Sequence, residues 1–201
     1  MALNEAEFQA FKALIDDRNG HHELECRNYL KHAVGLLLPQ TTKEFATIFE
    51  DRNFFGSTDY VVAASMISYQ NTDVREAYIW ELKAPQCYLF EKDNNNRCRP
   101  SDDFLKAENQ VLHYTHEALG NSRFRARMGI VDHENIKVGG IIIGTQERLL
   151  RNSTGTMDNQ NARMALKIRE TYLYPSIGLR VFTWDRILSY VQPASFLEGS
   201  D

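Results

Sequence analysis

The segment Tyr78-Ile79-Trp80-Glu81-Leu82-Lys83 constrains the fold most tightly. Aromatic and β-branched residues alternate with an acid and a base, and Pro85 stops the run, so Glu76 to Lys83 reads as a β-strand. Asp59 to Ile67 is a second strand, and Gln70-Asn71-Thr72-Asp73 between the two is turn chemistry. The pair predicts an antiparallel hairpin. Side chains alternate across a strand, so Tyr78, Trp80 and Leu82 share one face, read as core, and Ile79, Glu81 and Lys83 share the other. Charged side chains are depleted in buried strands, so this Glu and Lys need a reason.

The other segments dress that hairpin. Asn4 to Ile15 has helical apolar spacing with Asn4 as N-cap, and a second helix is expected over His22 to about Leu36, with Leu24, Tyr29, Leu30 and Val34 inward. Phe45 to Phe49 reads as a short strand and Asp93 to Arg97 as an exposed polar loop. Ser101-Asp102-Asp103 starts a helix to about Leu119, stopped by Gly120-Asn121. Val138 to Gly144 is a short apolar run fit for a central strand. A helix over Asp158 to Tyr172, a strand over Gly178 to Thr183 and a closing helix from Trp184 to Val191, capped by Thr183, complete the chain. The order α-α-β-β-β-α-β-α-β-α implies an α/β fold, a mixed β-sheet flanked by helices. No repeat or linker marks a boundary, so residues 1–20 read as a short helical extension and 21–201 as a single domain.

Composition narrows the function. A net charge of −4 argues against a protein that coats nucleic acid through a basic surface, though not against one local basic patch. No run of about 18 apolar residues suggests a membrane span, and Met1-Ala2-Leu3-Asn4-Glu5 does not resemble a signal peptide. Three cysteines, Cys26, Cys87 and Cys98, without C-x-x-C spacing fit a reducing cytoplasm.

The hairpin can carry chemistry. A short hairpin places Asp59 beside Glu81 and Lys83, and two carboxylates meeting there repel unless a cation lies between them. Such oxygen ligands suit Mg²⁺ or Mn²⁺ over Zn²⁺. The alternative is a surface salt bridge between Glu81 and Lys83 at a solvated edge. In the following helix Ala107, Gln110, Val111, Tyr114 and Ala118 make one inward face. Gln110 is the amide on that stripe; it either finds partners at an active-site mouth or borders the solvent side. Glu25 or Glu23 of the second helix could add a third carboxylate, with Glu25 preferred. Arg97 and Arg99 follow the asparagine loop, and Arg123, Arg125 and Arg127 would share one face if extended. That row suits DNA phosphates, or is ordinary surface charge. His113 and His116 lack metal-spaced partners, and no Gly-rich phosphate loop or serine elbow is present.

Asp59, then Glu81-x-Lys83, then a helix with an inward Gln resembles the PD-(D/E)XK nuclease superfamily, whose restriction-endonuclease-like core matches the order over residues 22–144. More narrowly, four stretches resemble the Shedu family of antiphage-defence nucleases: Glu25 to Leu30, Asp59 to Val62, Glu81 to Pro85 and Ala107 to Tyr114. Val138 to Thr145 and Leu179 to Leu188 add to the likeness, which spans residues 20–191. The resemblance implies a Mg²⁺-dependent endonuclease acting on DNA in bacteria, with Mn²⁺ able to substitute, and a homo-oligomer, dimer or tetramer. By match Asp59, Glu81 and Leu82 would hold the metal, Lys83 would be catalytic, Gln110 would support the site and Glu25 would be an accessory acid. Arg27 stands where many relatives would carry an uncharged amide. Relatives commonly carry a larger N-terminal regulatory region, so sensing here is expected from a partner protein, from oligomerisation or from the DNA. A binding or regulatory module on the same scaffold is the competing expectation.

Overall fold

In a computed structural model, residues 2–38, 44–49, 60–67, 73–152 and 156–194 are described; for 44–49, 60, 63–67 and 73 only the backbone course is given. Helix α1 spans Glu5–Asp16. Its start follows from Asn4, whose side chain accepts from Glu7 N at 2.9 Å while the Glu7 carboxylate accepts from Asn4 N, a reciprocal capping box. The expected helix over 22–36 is instead three short pieces: α2 at Glu23–Arg27, a 3₁₀ turn at Leu30–His32 and α3 at Val34–Leu37. The break leaves Leu24 half exposed (50%), while Leu30 and Val34 reach the core as expected.

Strands β1 (Glu44–Phe49), β2 (Tyr60–Ile67) and β3 (Asp73–Leu82) form an antiparallel meander. The β2–β3 hairpin matches expectation, with Tyr60 opposite Trp80 and Val62 opposite Tyr78. Strands β4 (Phe90–Lys92) and β5 (Cys98–Pro100) form a small separate hairpin, and Asp93 to Arg97, expected as an exposed polar loop, is the turn that joins them. Helix α4 (Asp102–Gly120) begins at Ser101, whose hydroxyl accepts from Phe104 N. Helix α5 follows at Ser122–Met128, then β6 (Ile136–Ile142). Helix α6 (Thr156–Ile168) ends earlier than expected, running into a π turn at Arg169–Leu173 and a 3₁₀ turn at Tyr174–Ile177 that contains Pro175. Strand β7 (Arg180–Phe182) and helix α7 (Trp184–Tyr190) close the fold; Thr183 sits at the cap position without a side-chain cap bond.

The five strands order as β1-β2-β3-β6-β7, with β6 and β7 running parallel to β3. The protein is therefore a mixed α/β fold. Strand β3 lies at the centre of this sheet, so both its faces are covered. Ala77 and Ile79 pack with Phe104, Val111 and Ala118 of α4 on one side. Tyr78, Trp80 and Leu82 pack with Phe11, Leu30 and Trp184 on the other. The sequence reading assigned a core to only the second of these faces. Among the described residues, no helix is long and apolar enough to cross a membrane.

Candidate functional site

Glu81 is the penultimate residue of β3, paired in register with Ile141 of β6. Alternation turns its side chain to the α4 side, with Ile79. The carboxylate is 1% exposed and accepts a 2.6 Å hydrogen bond from Lys83 Nζ, whose side chain is 14% exposed. The expected alternative, a surface salt bridge at a solvated edge, does not fit this burial or the central position of the strand.

The backbone around the pair is pinned on several sides. Lys83 N donates to Ile142 O at 2.8 Å, and the Trp184 indole donates to Lys83 O at 2.7 Å. The Ala84 carbonyl accepts from Cys87 N and Gly144 N. In the turn beyond, Gln86 Nε2 donates to the carbonyls of Leu14 and Asp17, and Arg148 donates to those of Ile15, Asp17 and Pro85. These bonds satisfy carbonyls at the end of α1, which a helix C-terminus leaves open. The same bonds hold α1 against the end of β3.

Gln110 lies on the α4 face that packs over β3 and β6. It is half-buried; Nε2 donates weakly to Tyr114 Oη at 3.5 Å, and Oε1 is buried with no hydrogen-bond partner among the described residues. A buried acceptor without a partner costs roughly 1–3 kcal/mol, and none of the described residues supplies one.

Two acids absent from the preferred set, or weighed second in it, lie at the same end of the sheet. The Cys87 thiol is pushed up to about 12, chiefly by burial, with Asp103 and Glu23 adding to the rise and Lys83 opposing it. Glu23, Asp103 and Lys83 therefore all act on one buried sulfur just past β3. Asp103 was read only as a helix-start residue; its position near Cys87 depends on the chain reversal at 85–101, which no local pattern reports. Glu25 is placed elsewhere: its side chain is 54% exposed and faces His22 Nδ1 at 3.5 Å. Its carboxyl is held low by its own backbone amide and by His22. Of the two helix acids, Glu23 and not Glu25 contributes to the field at the Cys87 thiol.

Asp59 lies outside the described residues. Leu82 buries its side chain on the opposite face, so its part in a metal site could come only from its main-chain carbonyl. Carboxylate and carbonyl oxygens fit a hard divalent cation such as Mg²⁺. Among the described residues no group of three or more His, Cys, Asp or Glu is arranged to hold a metal.

The arginine row is corrected. Residues 123–127 are helical, not extended, because Asn121 caps α5 by accepting from Phe124 N and Gly129 ends it in the left-handed region. Phe124 points into the core and Ala126 outward; Arg123 and Arg127 lie on the exposed side, and Arg125 is turned away from them. On the small hairpin Arg97 pairs with Asp93 at 2.9 Å and Arg99 pairs with Glu91. No family model matches the chain, and no curated protein matches it.

Proposed function

We propose that the chain is a Mg²⁺-dependent endodeoxyribonuclease of the PD-(D/E)XK type, acting in the bacterial cytoplasm in antiphage defence, as its likeness to the Shedu family implies. The observation that carries this reading is the buried Glu81–Lys83 pair at the end of the central strand. Desolvation offsets most of the attraction in such a pair, so stability alone is a poor reason for its presence. A site for phosphodiester hydrolysis is a better one.

Asp59, Glu81 and the Leu82 carbonyl would hold the metal, which supplies charge stabilisation at a phosphoryl oxygen and a more acidic water. Lys83 would orient a nucleophilic water or neutralise charge that develops on the phosphate. Gln110, whose carbonyl oxygen is buried without a partner among the described residues, would support that site, and Glu23 would take the accessory role first given to Glu25. Arg123 and Arg127 are the DNA-phosphate candidates, in a dimer or tetramer whose activation comes from a regulatory partner or from the DNA.

One observation favours a second reading, a catalytically silent module. Arg97 and Arg99, both DNA candidates, are each neutralised by a neighbouring acid. Calorimetry with Mg²⁺ separates the two readings. A nuclease binds Mg²⁺ and loses that binding on Asp59→Ala together with DNA cleavage; a silent module binds none in the wild type.

A further inference from the structure

Away from the Glu81–Lys83 site, the outer edge of β7 borders a cavity of about 860 Å³, walled by α3, the irregular stretch 170–179 and α7. That volume suits a small-molecule ligand. Its walls are largely apolar, with Leu36, Leu38, Pro175 and Leu179 among them, yet two arginines enter it. Arg180 is half-buried and anchored, donating from Nε to Gly139 O at 3.2 Å and from Nη2 to Leu37 O at 2.5 Å. Those two bonds leave other guanidinium N–H groups available. Arg186 stacks on the Phe182 ring at 4.4 Å, and Arg180 approaches the same ring at 5.9 Å.

Both cations therefore lie against aromatic rings beside the cavity, Arg180 being nearer Trp80, at 4.8 Å, than Phe182. Burial lowers the Arg180 pKa, and repulsion from Arg186 adds to that. Glu170 is the acid of the lining; burial raises its pKa and Arg186 opposes the rise. Among the described residues no ion pair joins Glu170 to either arginine. An anion bridging both guanidiniums would relieve their repulsion, and a dianionic phosphate does so better than a single carboxylate.

The edge strand adds a polar feature of another kind. The Phe182 carbonyl accepts from Ile143 N at 3.0 Å, so it faces β6. Alternation then turns the N–H and C=O of Val181, which lines the cavity, to the outer edge. A donor and an acceptor side by side complement the edge of a nucleobase. The π turn at Arg169–Leu173, a feature frequent at functional sites, carries Glu170 to the cavity rim.

We infer that this cavity is a second ligand site, for a nucleoside monophosphate, with Arg180 and Arg186 taking the phosphate and the apolar walls and the Val181 edge taking the base. The site is independent of the nuclease reading and needs no metal, so binding is measured in EDTA.

The test is titration calorimetry of the full chain with adenosine 5′-monophosphate, adenosine, inorganic phosphate and decanoate. The expected result is saturable binding of the monophosphate, with adenosine and phosphate each at least tenfold weaker. Arg186→Gln, at an exposed position that leaves the core untouched, should weaken monophosphate binding at least tenfold. Glu170→Gln should tighten it severalfold by removing the competing charge. Leu179→Trp should weaken it severalfold by narrowing the apolar wall. Absence of monophosphate binding at millimolar concentration, equal binding by Arg186→Gln, or binding of decanoate in place of the monophosphate would each overturn the proposal.

Discussion

The indole N–H of Trp184 donates a 2.7 Å hydrogen bond to the main-chain carbonyl of Lys83, joining the first residue of α7 to the end of the strand that carries Glu81. Trp184 is fully buried and packs edge-on against Phe11 of α1. The first and last helices therefore meet where the Lys83 backbone direction is set. Trp184→Phe keeps most of the packing and leaves that carbonyl without its indole donor. The expected loss is about 2 kcal/mol in urea unfolding, with a larger fractional loss of Mg²⁺-supported cleavage than in a core variant of equal stability.

The Glu81–Lys83 pair predicts non-additive stability. Lys83→Met removes the cation that hydrogen-bonds a buried carboxylate and should cost about 3 kcal/mol. Glu81→Gln combined with Lys83→Met removes both charges and should be more stable than Lys83→Met alone. Urea midpoints of the wild type, both single variants and the double variant complete the cycle.

Arg148 binds three carbonyls, those of Ile15, Asp17 and Pro85. Arg148→Met retains the stem and removes all three donors. It should destabilise the fold by about 2–3 kcal/mol, and hydrogen exchange should rise at the amides of the last turn of α1.

The pairing of His22 Nε2 with Asp17 Oδ2 at 2.7 Å predicts a pH dependence. The hydrogen bond to Asp17 raises the His22 pKa above 6.5, and the bond to His22 lowers the Asp17 pKa below 3.8. The histidine contribution is thus complete below pH 6.5 and is lost as pH climbs through the raised folded-state value. The aspartate contribution is complete above pH 3.8 and is lost as pH falls through the lowered one. Urea midpoints of the wild type should decline from pH 5.5 to 8.5, and His22→Gln should flatten that decline.

Much of the fold could be read from local pattern. The period-2 alternation of Tyr78 to Lys83 and the turn at 70–73 predicted the β2–β3 hairpin, and the α4 stripe predicted its inward face. Alternation separates two faces but does not say which is covered, so the burial of Ile79 and Glu81 beneath α4 was not legible. The break after Arg27 carries no Gly or Pro, and the 22–36 stripe read as one helix for that reason. Three-residue strands such as β4 and β5 are too short to show alternation at all. The helical course of Arg123 to Arg127 was signalled by Asn121 and Gly129, a cap at each end, but the alternating arginines suggested a strand. Glu23 and Glu25 sit two apart on a single turn, and only the tertiary position of Cys87 separates them.

The most direct measurement is cleavage of linear and nicked duplex DNA by purified wild type and Lys83→Ala, with Mg²⁺, with Mn²⁺ and with EDTA. The prediction is cutting by the wild type with either metal and none in EDTA. Lys83→Ala should lose at least about 100-fold in rate while its circular dichroism matches the wild type. Cleavage that persists undiminished in Lys83→Ala, or wild type that cuts no DNA with either metal, would contradict the assignment.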